Sequence, residues 1–377
     1  MIIDADTHLI EPPDIFTSRL ARKYHEQCPH IQEHTEKESA EFRNYTANCI
    51  GDNPAESLYG PVERAKVMDR HGINAAATFP TLGLTGPEVY REIPGADSEV
   101  QLAVVSAYND WILSWNEAAP GRFICLAVLP YWDRDGAIRE IERCAERGAK
   151  GIVMSGYPQN HGCPLLPDPY GNDVWAAAQA NEMCVSLHAS GGGFENRDER
   201  TQLLGTGLWG VWIQGNEYLN NAKSAVDIIC SGVLHRYPKL RFSFIECGIG
   251  WVPFVLESLD SYWPVFEPWK DNPAVSRDVL PSEVFNRQCF VETMFERYHD
   301  NHPYGNTMFG TDYPHPKCLI DDKIPDLIDN RLAGLSTEQR DAVLSKNAIR
   351  CWNLKPEDII SDDQMATAAK TKVGVHE

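Results

Sequence analysis

Short apolar runs that stop at an acidic or imidazole side chain recur along this chain with helical stretches between them, and this alternation narrows the fold more than any other feature. The opening run Met1-Ile2-Ile3 leads into Asp4-Ala5-Asp6-Thr7-His8. If that run is a strand, alternate side chains share a face, so Asp4, Asp6 and His8 are expected together at the strand's C-terminal end. Cys184-Val185-Ser186-Leu187 runs into His188 and then Ala189-Ser190-Gly191-Gly192-Gly193. Thr307-Met308-Phe309-Gly310-Thr311 runs into Asp312-Tyr313-Pro314-His315. Imidazole and carboxylate delivered by three strands suit zinc, manganese or iron, and a site with few protein ligands leaves positions open for water or substrate. For the first segment taken alone, the competing reading is a capped turn with a chance histidine.

Between these runs the pattern predicts strands over residues 73–79, 123–129, 151–154, 240–246 and 289–293, which with the other three make eight. Helices are expected over 62–68, 98–115, 135–147, 174–182, 222–234 and 337–347, from apolar residues at a period near 3.6. The run 123–129 is continuously apolar, as befits a strand covered on both faces of a parallel sheet. Eight strands alternating with helices point to an α/β fold, a closed (β/α)8 barrel, in which active sites gather at the strand C-termini. An open doubly wound sheet is the alternative, but no glycine-rich phosphate loop follows the first strand. Gly191-Gly192-Gly193 instead reads as a place of close backbone approach beside the metal. The expected organisation is one barrel domain over 1–354, a lid or insertion over 9–60, and a C-terminal arm or tail over 355–377.

Composition removes several functions. Fifty-four acidic residues face 34 basic ones, a net charge of −20, and no cluster of Lys and Arg interrupts that field, so nucleic acid and anionic membranes are not expected partners. No stretch reaches the roughly 18 apolar residues of a membrane span, and the N-terminus lacks a basic region followed by an apolar core. The 11 cysteines include no C-x-x-C pair and several sit inside apolar runs, which suggests buried thiols in a reduced, cytoplasmic protein. A small-molecule substrate is the expected partner.

On these residues the chain resembles the amidohydrolase-related superfamily, in the branch of aminocarboxymuconate-semialdehyde decarboxylase and the resorcylate-type decarboxylases. The resemblance runs from residue 2 to about 354. It rests on Asp4-x-Asp6-x-His8 with Glu11-Pro12, Asp168-Pro169 with Trp175, and Ser231-Gly232-Val233-Leu234 through Tyr237-Pro238-Lys239-Leu240. It rests also on Gly248-Ile249-Gly250-Trp251-Val252-Pro253, Gly310-Thr311-Asp312-Tyr313-Pro314-His315 and Asn347-Ala348-Ile349-Arg350. The resemblance implies one divalent metal, zinc or in some relatives manganese, held by Asp6, His8, His188 and Asp312, and a homodimer. Asp6 departs from the family's usual His or Glu. Glu246-Cys247-Gly248 stands where the decarboxylases place a histidine, so Glu246 is expected either to transfer a proton or to orient a ligand histidine. His315 is expected to contact substrate or to hydrogen-bond within its loop.

The activity implied is nonoxidative decarboxylation of a small aromatic or unsaturated carboxylic acid, with Asp312 or Glu246 protonating the carbon that bears the carboxylate. The rival is hydrolysis of an amide, ester, lactone or carbon–carbon bond by a metal-activated water, Asp312 taking its proton. A third reading is a barrel that binds without catalysing. Trp209, Trp212, Trp251 and Trp263 could line a ring-binding pocket, although tryptophans serve more often in cores and interfaces.

Overall fold

The computed structural model describes residues 1–29, 60–81, 87–93, 95–189, 197–293, 296, 302–314 and 324–365. Eight parallel strands follow in chain order around a (β/α)8 barrel: β1 (Ile3–Leu9), β2 (Ala75–Pro80), β3 (Phe123–Val128), β4 (Gly151–Ser155), β5 (Cys184–His188), β6 (Phe242–Ile245), β7 (Cys289–Thr293) and β8 (Thr307–Phe309). Every residue of every strand is buried, as their mostly apolar composition requires when helices cover one face and the barrel core the other.

Alternation sorts the strand side chains into two layers. Ile3, Ala5, Ala77, Phe79, Leu126, Val153, Cys184, Ile245, Phe290 and Met308 fill the barrel with Trp352, which the C-terminal helix Asn347–Cys351 brings in. The intervening residues, such as Val185, Leu187, Phe242, Phe244 and Val291, pack with the helices. Asp97 caps the helix Ser98–Ala118 by accepting from Val100 N at 3.0 Å, and Asp133 caps Arg134–Glu146 by accepting from Gly136 N at 2.8 Å. Each cap satisfies an otherwise orphaned amide of a first helical turn.

Several boundaries differ from expectation. The eighth strand ends at Phe309, short of the expected end at Asp312, which takes a left-handed backbone (φ 57°) that a strand does not accommodate. The barrel still closes through this segment, with Asp312 N donating to Asp6 O at 3.0 Å and His8 N to Tyr313 O at 2.7 Å. The helix expected at 222–234 is the end of a longer helical stretch, Arg197–Cys230, which is broken at Gly205 (φ 74°, ψ 162°) and followed after Gly232 by Val233–Arg236. The stretch expected as one helix over 337–347 contains a π-helical turn at Ala342–Lys346. Helices Trp251–Phe266 and Pro281–Gln288 were not foreseen. Beyond the barrel, Asn74 Nδ2 donates to Ile360 O and Asp362 Oδ1, so residues as far as 362 pack at the N-terminal end.

Candidate metal centre

Asp6, His8 and His188 meet at the C-terminal end of the barrel, all buried, with their ligand atoms all within 4.8 Å of one another. Asp6 Oδ1 lies 3.6 Å from both His8 Nε2 and His188 Nε2. Asp312 reaches the same point from beyond β8, its Oδ1 3.5 Å from His8 Nε2. The four expected ligands are therefore brought together. The Asp6 carboxylate, where the family usually has His or Glu, stands between the two imidazoles.

A register irregularity between Asp4 and Thr7 decides which first-strand residues take part. A regular strand would place Asp4 on the same face as Asp6 and His8. Instead Ile3 and Ala5 belong to the barrel filling, and the irregularity changes the phase of the alternation so that Asp6 and His8 turn to the site. Asp4 is used in closing the barrel: its Oδ1 accepts from Thr311 N at 2.8 Å and its Oδ2 from Thr311 Oγ1 at 2.6 Å. Burial lifts the Asp4 carboxyl to about 7 against the hydrogen bonds from Thr311.

Both imidazoles are oriented through their other nitrogen. His8 Nδ1 lies 3.0 Å from Pro80 O, and His188 Nδ1 lies 3.3 Å from Ala189 O and 3.6 Å from Glu246 Oε2. A proton on each Nδ1 leaves each Nε2 lone pair directed at the cluster, the usual arrangement of metal-binding histidines. The rings stand edge to face at 4.8 Å between centroids, and Phe79 packs against both.

The donor set fits a cation. Both carboxylate oxygens of Asp6 and Nε2 of His188 are buried without a hydrogen-bond partner among the described residues. Buried polar atoms are costly when unsatisfied, and a carboxylate oxygen converging with imidazole nitrogens suits a divalent ion. Burial works to lower the His188 pKa, but the carboxylates of Asp6, Glu246 and Asp312 outweigh it and lift it to about 9 in the metal-free protein.

Two acids complete the surroundings. Glu246, just after β6, is 6% exposed and holds a left-handed backbone (φ 53°). Glu292, on β7, was not singled out from the sequence; its Oε2 accepts from Glu246 N at 2.8 Å, and it is 0% exposed. The signal was present, since Glu292 is an acid at the end of the apolar run Cys289-Phe290-Val291, as Asp312 is at the end of its own. Tyr218, on the long helix, was also missed; burial raises its phenol, and Glu246, Glu292 and Asp312 add to the effect, which places it within electrostatic reach of the centre. His315 and the segment Ser190–Gly193 lie outside the described residues. Trp251 packs against Phe244 and Phe285 in the core, while Trp209 stacks on Trp212 at 4.9 Å.

The sequence pattern of the amidohydrolase family matches residues 3–354. The chain belongs to that family. This amidohydrolase is similar in sequence to a gamma-resorcylate decarboxylase of Rhizobium radiobacter, 26% identical over 269 residues that cover 67% of this chain and 76% of the relative. In fold it is similar to an amidohydrolase of Mycobacterium avium subsp. paratuberculosis K-10, with a TM-score of 0.69 at 20% identity, covering 93% of this chain and 98% of the other. It is similar also to a dihydroxybenzoic acid decarboxylase of Polaromonas sp. JS666, solved with bound manganese and the inhibitor 2-nitroresorcinol. That match has a TM-score of 0.66 at 20% identity and covers 95% of this chain and 98% of the other. Among the described residues no helix is long and apolar enough to cross a membrane, and nine cysteines are free thiols.

Proposed function

We propose that this amidohydrolase is a metal-dependent, nonoxidative decarboxylase of small aromatic carboxylic acids. The observation that carries the reading is the buried convergence of Asp6, His8 and His188, with unsatisfied lone pairs on Asp6 and His188, in a chain related to resorcylate decarboxylases. Asp6, His8, His188 and Asp312 would hold the ion. A divalent cation there, zinc or manganese, would supply Lewis-acid attraction for the substrate carboxylate and a neighbouring oxygen.

Asp312 carries the proton to the ring carbon that bears the carboxylate. The electrons of the carbon–carboxylate bond then return to the ring as carbon dioxide leaves, and water reprotonates Asp312. Glu246, set against His188 Nδ1, orients that imidazole in place of a residue acting on the substrate directly. We assign substrate contact to His315, on the family resemblance of its sequence motif alone. Loss of aromaticity in the protonated ring is the costly step, so fixed positions and preorganised charge provide most of the acceleration. We further assign the protein to the cytoplasm as a homodimer, for which the free thiols and the exposed Phe254, Tyr262, Val265 and Phe266 on one helix are the support.

The test is carbon dioxide release from a panel of hydroxybenzoates by zinc- or manganese-loaded protein, with chelated protein and Asp312→Asn as controls. Release that needs the metal and falls by at least a thousandfold in Asp312→Asn is expected. A folded, metal-loaded protein that releases none, yet cleaves esters or lactones, would transfer the assignment to the hydrolases.

A further inference from the structure

The end of the barrel opposite the metal ligands carries a cavity of about 630 Å³, between the loops that enter β5, β6 and β7. Gln179, Glu182, Lys239, Arg241, Arg287 and Gln288 are among its lining residues. Three cations and one carboxylate meet here in a chain whose net charge is −20. Among the described residues, none of the three cations lies within ion-pair distance of a carboxylate. Elsewhere in the molecule arginines such as Arg122, Arg143 and Arg147 do pair with acids.

Exposed cations on a convex surface would signify only solvation, but these surround a concavity, and Arg241 and Arg287 are held in place there. Gln288 is 1% exposed and donates to Tyr237 O and Leu240 O at 2.9 Å each, which fixes its amide. Its Oε1 then accepts from Arg287 Nε at 3.0 Å, which leaves both terminal nitrogens of Arg287 for a ligand. Arg241 is anchored by one bond from Nη2 to Glu182 O at 2.9 Å, and its Nε is buried without an acceptor among the described residues. Gln179 Oε1 accepts from Lys239 N at 2.9 Å, so the Gln179 amide is oriented and its NH2 remains as a donor. Cations near helix C-termini can serve merely to complement the helix carbonyls. Here, among the described residues, Arg241 Nη2 alone of these charged groups bonds a backbone carbonyl, which leaves most of the donor capacity unused there.

We propose that this cavity is a binding site for a small phosphate-bearing anion. Guanidinium forks match phosphate oxygens two at a time, and the lysine adds a point charge. The excess of two positive charges in the lining matches a phosphate dianion. The volume lies within the range that holds an organic ligand as well as its phosphate. The site uses no residue of the metal centre and stands at the other end of the same strands.

The experiment is calorimetric titration of inorganic phosphate into the full chain at constant ionic strength, with wild type, Lys239→Gln/Arg287→Gln and His188→Ala. The last variant removes a metal ligand and so reports any phosphate bound at the metal instead. Saturable binding kept in His188→Ala and weakened at least tenfold in Lys239→Gln/Arg287→Gln is expected. Both substituted cations are exposed, and a thermal midpoint equal to wild type without phosphate checks the fold; Lys239→Gln alone, expected to weaken binding severalfold, stands in should the double variant misfold. No saturable binding, binding indifferent to the lysine and arginine, or binding lost in His188→Ala would overturn the proposal.

Discussion

Glu292 Oε2 accepts a hydrogen bond from the backbone amide of Glu246 at 2.8 Å, joining the ends of β7 and β6 where Glu246 adopts its left-handed backbone. A non-glycine residue in that region is held there only by its surroundings. Glu292→Ala would leave a buried amide without an acceptor, at a cost of about 1–3 kcal/mol. Glu292→Gln keeps an acceptor oxygen and is expected to lose less than half as much. Urea denaturation of both variants at pH 5 checks this, and equal losses would show that the hydrogen bond is not what matters.

The same carboxyl predicts a pH dependence in the metal-free protein. Burial lifts Glu292 well above the usual carboxylate range, and the charges of Asp6, Asp312 and Asp4 add to the shift. A folded pKa above the unfolded one means that the folded state binds the proton more tightly. Its contribution to stability is therefore complete below the unfolded pKa, near 4.5, and declines as pH rises through the folded value. Wild type without metal should lose stability from about pH 5 upward, and Glu292→Gln should flatten that slope. Parallel slopes in the two proteins would assign the effect to other groups.

Gly310 is glycine because the Glu292 carboxyl lies against its Cα, where a Cβ would collide with the carboxyl oxygen. Gly310→Ala is expected to destabilise by about 1–3 kcal/mol, the usual cost of overpacking a dense interior. Adding Glu292→Ala should recover part of that loss, because the two side chains compete for one space. Strict additivity in denaturant midpoints would refute the steric account.

At the centre itself, His188→Ala and Asp6→Asn should each fall well below one equivalent of bound zinc or manganese by elemental analysis, with circular dichroism unchanged. Chelation should lower the thermal midpoint of wild type and leave that of His188→Ala unmoved, since a ligand that binds only the folded state stabilises by mass action. Retention of a full equivalent by His188→Ala would place the metal elsewhere.

Glu246 lies 3.6 Å from His188 Nδ1, and the proposed mechanism has it act through that ring. Partners that orient a ligand histidine typically change metal affinity ten- to a hundredfold when removed. Glu246→Ala should weaken metal binding in that range and lower turnover at saturating metal by less than Asp312→Asn does. A loss of turnover as large as that of Asp312→Asn, with metal affinity unchanged, would instead make Glu246 the proton donor.

Much of the site was legible because a strand terminus is a local feature. A carboxylate or imidazole ending an apolar run marks the C-terminal rim of the barrel, and this pointed to Asp6, His8, His188 and Asp312, while Glu246 was singled out through the family resemblance. Glu292 carried the same mark, but nothing in sequence distinguishes an acid that supports a neighbouring backbone from one at a solvated turn. Asp4 shows the converse failure: its spacing matched Asp6 and His8, and only the register irregularity of β1 separated it from them.

What the sequence determined by itself was periodicity and residue chemistry: eight strands, the helices between most of them, and the set of groups able to hold a cation. Those follow from the two-residue and 3.6-residue repeats, which a linear string records directly. The tertiary structure alone decided which donors converge, because the distance between Asp6 and His188 depends on closure of the barrel across a sequence separation of 182. It alone decided, too, that Glu292 supports Glu246 and that cations unpaired among the described residues gather at the far end, since charges and hydrogen bonds act through space and not along the chain.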